Sequence, residues 1–222
     1  MMEGPLLALM AEVVAVGTER RFAHLMLKDD PFFGRLPRRS YQEAIDFAFA
    51  AGQTAADRVM PQYGHKPEAI AAALQVHVTR SDQVTQTGKT ILFSEYSDRP
   101  PSITIYTRSV NEANRLIREN GLSESLGIDD LAPMHLAHEL YHHLEGRKLT
   151  EGTAGFRIQT FRLGPLRLST GLPSLCEIAA DRFALAVLKL KVPPKAMQFI
   201  TVYLHNREYA WNLLEELQRL SV

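Results

Sequence analysis

The stretch His138-Glu139-Leu140-Tyr141-His142 lies inside a longer helical pattern in which Leu136, Leu140 and Leu144 recur every four residues. On a helix, residues four apart share a face, so His138 and His142 project side by side. Two such imidazoles can share one tetrahedral Zn²⁺, with Glu139 beside the open coordination position as general base. A solvated helix surface is the plainer alternative. Against it, the leucines form an apolar stripe while His135, His138 and His142 gather on the adjacent face.

A catalytic zinc site needs a third protein ligand and an open position for water. Downstream, after Pro173-Ser174, a second helical run contains Cys176, a soft donor, and Glu177, a carboxylate donor. Glu177 and Asp181 stand four apart on this run. One carboxylate could bind metal while the other orients a liganding histidine. Ile178, Phe183, Ala186, Val187 and Leu190 are left for the core, and the small Ala179 and Ala180 would permit close helix approach.

Taken together, His138-Glu139-Leu140-Tyr141-His142-His143 and Glu177-Ile178-Ala179-Ala180-Asp181-Arg182-Phe183-Ala184 resemble the gluzincin-type metallopeptidases, and most closely the ImmA/IrrE-like family of small zinc peptidases. The resemblance implies His138, His142 and Glu177 as zinc ligands, Glu139 as catalytic base and Asp181 as the partner that orients a ligand. It also implies a zincin-like domain with a small sheet ahead of the motif helix. The match is good over the two motif helices and looser over 74–190. Tyr141 departs from it, standing where the family commonly has glycine. No helix-turn-helix signature appears, although relatives are often linked to such DNA-binding regulators. For the group that stabilises the oxyanion, the candidates are His143, Tyr203, His205 and Tyr209; for each, packing or solvation is the more ordinary role.

Working outward, the chain alternates helical and extended patterns. Apolar spacing marks a helix over Leu6–Leu27 and another over Tyr41–Met60, which Ser40 and Glu43 could open as a capping box. A shorter Ala-rich helix follows near 68–73. Runs at 74–79, 91–96 and 102–107 carry the period-two, β-branched signature of strands and predict a small, antiparallel sheet. Helical spacing returns at 111–119. Asp129 or Asp130 can cap the motif helix, with Pro133 in its first turn. The Gly-rich, basic segment 146–173 reads as a hairpin or long ordered loop, and an amphipathic helix closes the chain over 195–220. The expected fold is α+β: a helical region over 1–70 packed on a zincin-like domain over 71–222.

Composition sets bounds on this reading. The 222 residues hold 25 Lys+Arg and 25 Asp+Glu, with 45% hydrophobic residues. That balance supports a folded core and gives no electrostatic reason to expect nucleic acid or a membrane surface as partner. A single cysteine excludes an internal disulfide and a four-cysteine zinc site, and fits a reducing compartment. The Leu6–Val16 run is interrupted by Glu12 and lacks a basic leader, so a cytoplasmic protein is expected. The expected partner is a protein or peptide substrate, which an edge strand could bind by strand addition. The rival expectation is a zinc-binding regulatory or interaction protein that senses or binds a partner without cleaving it.

Overall fold

The computed structural model describes residues 4–83, 86–87, 90–163 and 166–220. In chain order it contains α1 (Pro5–Val16), α2 (Glu19–Lys28), α3 (Tyr41–Tyr63), α4 (Pro67–Ala73), β1 (His77–Ser81), β2 (Gln86–Thr87), β3 (Thr90–Ile91), β4 (Ser94–Asp98) and β5 (Pro101–Tyr106). It continues through α5 (Thr107–Glu119), α6 (Ser123–Leu126), α7 (Ala132–Gly146), β6 (Ile158–Leu163), β7 (Leu166–Thr170), α8 (Pro173–Leu188), α9 (Gln198–His205) and α10 (Arg207–Arg219). The architecture is α+β, mostly helical. Among the described residues no helix is long and apolar enough to cross a membrane.

Helix boundaries follow local chemistry. The apolar run near the N-terminus divides into α1 and α2, because Thr18 turns extended and its hydroxyl accepts the Arg21 N–H as a cap. The closing helix likewise divides at Asn206, whose side chain accepts the Tyr209 N–H and restarts the chain as α10. The capping box at α3 does not form: Ser40 sits in a short 3-10 turn and makes no side-chain cap bond. Helix α3 also runs past Pro61 to Tyr63, since a proline in the last turn removes little of the hydrogen-bond ladder.

The main sheet has the order β1-β5-β4, and its sense corrects the antiparallel expectation. β4 and β5 form an antiparallel hairpin, whereas β1 pairs with β5 in parallel, His77 opposite Ser102 and Ser81 opposite Tyr106. After β1 the chain crosses to the far edge to lay down β4 and returns with β5 in the middle, so β5 runs the same way as β1. Alternation alone reports faces, not direction, which is why the sequence pattern did not distinguish the two arrangements. Ile103 and Ile105 of β5 are buried against the helices. β2 and β3 form a separate short antiparallel ladder, and β6 and β7 pair as a hairpin whose residues 164 and 165 lie outside the described residues.

One apolar cluster reaches from α1 to α10. Its centre is α8, which packs on α3 on one side and on α7 on another. Gly52 of α3 makes the first contact close: a Cβ there would stand 2.3 Å from the Ala179 carbonyl oxygen. The small Ala179 therefore serves the α3 contact. On the other side, Tyr141 of α7 packs 6.0 Å from Phe183 of α8, with both fully buried. Such an aromatic pair is worth about 0.5–1.5 kcal/mol beyond the area it buries. Polar ties join the same helices, since Arg182 donates to Glu19 of α2 and to Gln53 of α3.

Candidate metal centre

Helix α7 starts where Asp130 accepts the Ala132 N–H, with Pro133 in the first turn, as its sequence anticipates. From there the 3.6-residue period separates two sets of side chains. His138 and His142 face α8. Glu139 and His143 are buried toward β4. Helix α8 enters from Pro173 and brings Cys176, Glu177 and Asp181 against the first set.

His138, His142 and Glu177 each place a ligand atom within 4.8 Å of the other two. The Nε2 atoms of His138 and His142 stand 3.2 Å apart. Glu177 Oε2 lies 3.2 Å from His138 Nε2, and Oε1 lies 3.5 Å from His142 Nε2. A tetrahedral zinc with bonds of about 2.0–2.1 Å would separate neighbouring ligand atoms by roughly 3.3 Å, close to each of these pairwise separations, two of which run to different oxygens of the Glu177 carboxylate. The other ring nitrogens are engaged outward. His138 Nδ1 is 2.9 Å from Asp181 Oδ1, and His142 Nδ1 is 3.2 Å from Cys176 Sγ. With Nδ1 protonated in both rings, two imidazole lone pairs and a carboxylate would face one another, a set that could hold a cation.

Electrostatics without a metal show the same convergence. Burial alone would lower His138, but its hydrogen bonds to Asp181 and Glu177 outweigh this and raise it well above the ordinary histidine value. His142 is lowered, by burial first and then by the charge on His138. For Glu177 burial pushes upward, yet the His138 hydrogen bond and the charges of His138, His142 and Lys195 bring it down to about 2. Without a metal, His138 thus holds a proton and faces an ionised Glu177. Glu177 is 52% exposed while the two histidines are 19%, so the centre opens to solvent on the carboxylate side.

Glu139 is 8% exposed, and one oxygen accepts the Ser94 hydroxyl of β4 at 2.7 Å. Its charge acts on both His138 and His142. Asp181 stands behind His138, at its Nδ1.

The remaining candidates are not gathered here. His143 is 4% exposed and shares a 3.0 Å hydrogen bond with the Tyr96 hydroxyl, pointing to the sheet. Tyr203 is buried in α9 with the Arg207 guanidinium over its ring, while His205 and Tyr209 are exposed. Tyr141 points into the core, and its bulk does not crowd the metal face.

Three residues around the centre escaped the sequence reading. Ser94 lies on a strand whose facing could not be known. Lys195 follows a Pro-Pro break, and Glu145 stands three residues after His142, the one signal that was available. No known family model, curated protein or solved structure matches this chain.

Proposed function

We propose that the chain is a zinc-dependent metallopeptidase with a zincin-like fold. The carrying observation is that ligand atoms of His138, His142 and Glu177 lie within 4.8 Å of one another, a group that could hold one metal ion, with the buried Glu139 alongside. In support of the fold, the motif helix has a sheet on one face and the helix bearing the third donor on another. Three protein donors leave a position open, as a catalytic site requires and a structural one does not.

Zinc bound there supplies Lewis acidity, which acidifies water and polarises a carbonyl. The chain's own residues supply the rest. Asp181 holds the His138 ring with its Nε2 lone pair inward. Ser94 fixes one Glu139 oxygen, leaving the other to accept the proton of the attacking water and deliver it to the departing amine nitrogen. β4 is an edge strand among the described residues and lies beside Glu139, which favours an extended peptide added along it.

The test is elemental analysis of untagged protein together with hydrolysis of denatured casein. About one zinc per chain is expected in the wild type and none in His138→Ala or Glu177→Ala. Glu139→Gln should keep its zinc and lose hydrolysis by about 10²–10⁴-fold. Zinc retained in Glu177→Ala would remove the assignment of the ligands. Casein hydrolysis equally absent from wild type and Glu139→Gln, with zinc in both, would favour the regulatory protein that binds a partner without cleaving it.

A further inference from the structure

The two histidines of the centre are held from behind in different ways. His138 meets a carboxylate directly, through Asp181. His142 meets a thiol: Cys176 Sγ lies 3.2 Å from its Nδ1, and the same sulfur lies 2.6 Å from Glu145 Oε2. The protons can be placed. With Nε2 of His142 facing the centre, Nδ1 carries the hydrogen and donates it to sulfur. The thiol then donates its own proton to the Glu145 carboxylate.

Glu145 is in turn fixed by the loop after α7. Its Oε1 accepts both the backbone N–H of Thr153 and the Thr153 hydroxyl, the latter at 2.8 Å. Gly152, just before, has φ +64°, in the left-handed region that favours glycine, and a Cβ there would come within 2.6 Å of that oxygen. The loop, the carboxylate, the thiol and the imidazole form one continuous chain ending at the centre.

We propose that Cys176 is the positioning residue for His142, a neutral relay that sets the ring's tautomer and direction and is itself held by Glu145 and Thr153. This rests on the metal reading above. Helix α8 then serves the centre three times, with Cys176 behind His142, Glu177 as a donor and Asp181 behind His138. Partners placed behind liganding histidines typically account for 10–100-fold in metal affinity. The chain of hydrogen bonds explains why a cysteine suits this position: sulfur can accept from the ring and donate to the carboxylate at once, as a hydroxyl can and a methyl cannot.

The experiment measures zinc affinity by competition with a chromogenic chelator, for wild type, Cys176→Ala, Cys176→Ser, Glu145→Ala and His138→Ala, with apo melting temperatures alongside. Cys176→Ala should bind zinc about 10–100-fold more weakly. Cys176→Ser should stay within about threefold of wild type, and Glu145→Ala should fall between. Cobalt-substituted wild type should lack the near-ultraviolet sulfur-to-cobalt band that a thiolate ligand gives. Wild-type affinity in Cys176→Ala, with zinc lost in His138→Ala, would overturn the positioning role alone. A sulfur-to-cobalt band in wild type would overturn it by making Cys176 a ligand. No zinc in the wild type would overturn both this role and the metal reading. Should Cys176→Ala fail to fold, undiminished affinity in Glu145→Ala overturns the relay.

Discussion

On the α8 side of α7, His138 and His142 each turn a ring nitrogen toward Glu177. On the sheet side, one turn away or less, His135 stacks on Phe93 with ring centres 4.7 Å apart, and His143 bonds to Tyr96. The four histidines occupy nine consecutive positions of one helix, so propensity and local sequence differ little among them. What differs is the element opposite. Helix α8 offers carboxylates and a thiol, which meet the Nδ1 atoms and leave the Nε2 atoms facing Glu177. The sheet offers an aromatic ring and a phenol, which accept neutral histidines as packing. Chemistry at this helix is assigned by the facing element, and each prediction below attacks that assignment from one side.

The largest effect should come from the α8 side. Asp181→Ala removes the carboxylate that meets His138 Nδ1, leaving the ring free to rotate and less basic. Zinc affinity should fall about 10–100-fold, equivalent to roughly 1.4–2.7 kcal/mol, while the apo fold stays intact. Chelator competition reads it directly. Affinity unchanged in this variant would mean that the ring is held by packing alone, and the contrast between the faces would lose its electrostatic content.

The next effect tests the sheet side through pH. Burial first, and the charge on His138 second, lower His135 to about 3. The unfolded chain binds a proton there below about pH 6.5, whereas the folded chain resists until about pH 3. Stability from this group is therefore complete above pH 6.5 and drains away as pH falls toward 3, by at most about 1.4 kcal/mol per unit, less what partial exposure screens. His135→Phe keeps a ring on Phe93 and removes the titration. Melting temperatures from pH 8 to pH 5 should fall less steeply in the variant than in wild type. Parallel curves would show that His135 titrates in the folded protein and does not act as core.

These two faces also mark what could be read from the sequence. The spacing of His138 and His142, and of Glu177 and Asp181, is a local property of a helix, and local periodicity is legible. So was the extended character of β4 and β5. The direction of β1 against β5 was not, because it depends on which strand the chain lays in the middle after crossing the sheet. Nor could the sequence place His143, a plausible site residue by its neighbours, on the side of Tyr96. The relay from His142 to Glu145 needed three elements, α7, α8 and the intervening loop, to meet. Cys176 was legible only as a candidate soft donor, because nothing local showed that its sulfur would lie between a ring nitrogen and a carboxylate.

The smallest effect should be the loss of the Tyr96 hydroxyl on the sheet side, which bonds to His143 Nδ1 and to Asp98 Oδ1. Tyr96→Phe keeps the ring that packs at 5.5 Å from His143 and deletes only the hydroxyl. His143 is buried, so its Nδ1 would be left without the partner it has now, a cost of about 1 kcal/mol. In a chain of this length that corresponds to a fall of about 2–4 °C in melting temperature. Zinc content and casein hydrolysis should be unchanged, since His143 takes no part in the centre. Those two outcomes together sharpen the comparison: a stability loss without a metal effect assigns His143 to the sheet. A fall in hydrolysis with stability intact would instead place His143 and Tyr96 in contact with the reacting substrate. The oxyanion role that His143 was first considered for would then belong to the pair, reaching the carbonyl from the β4 side.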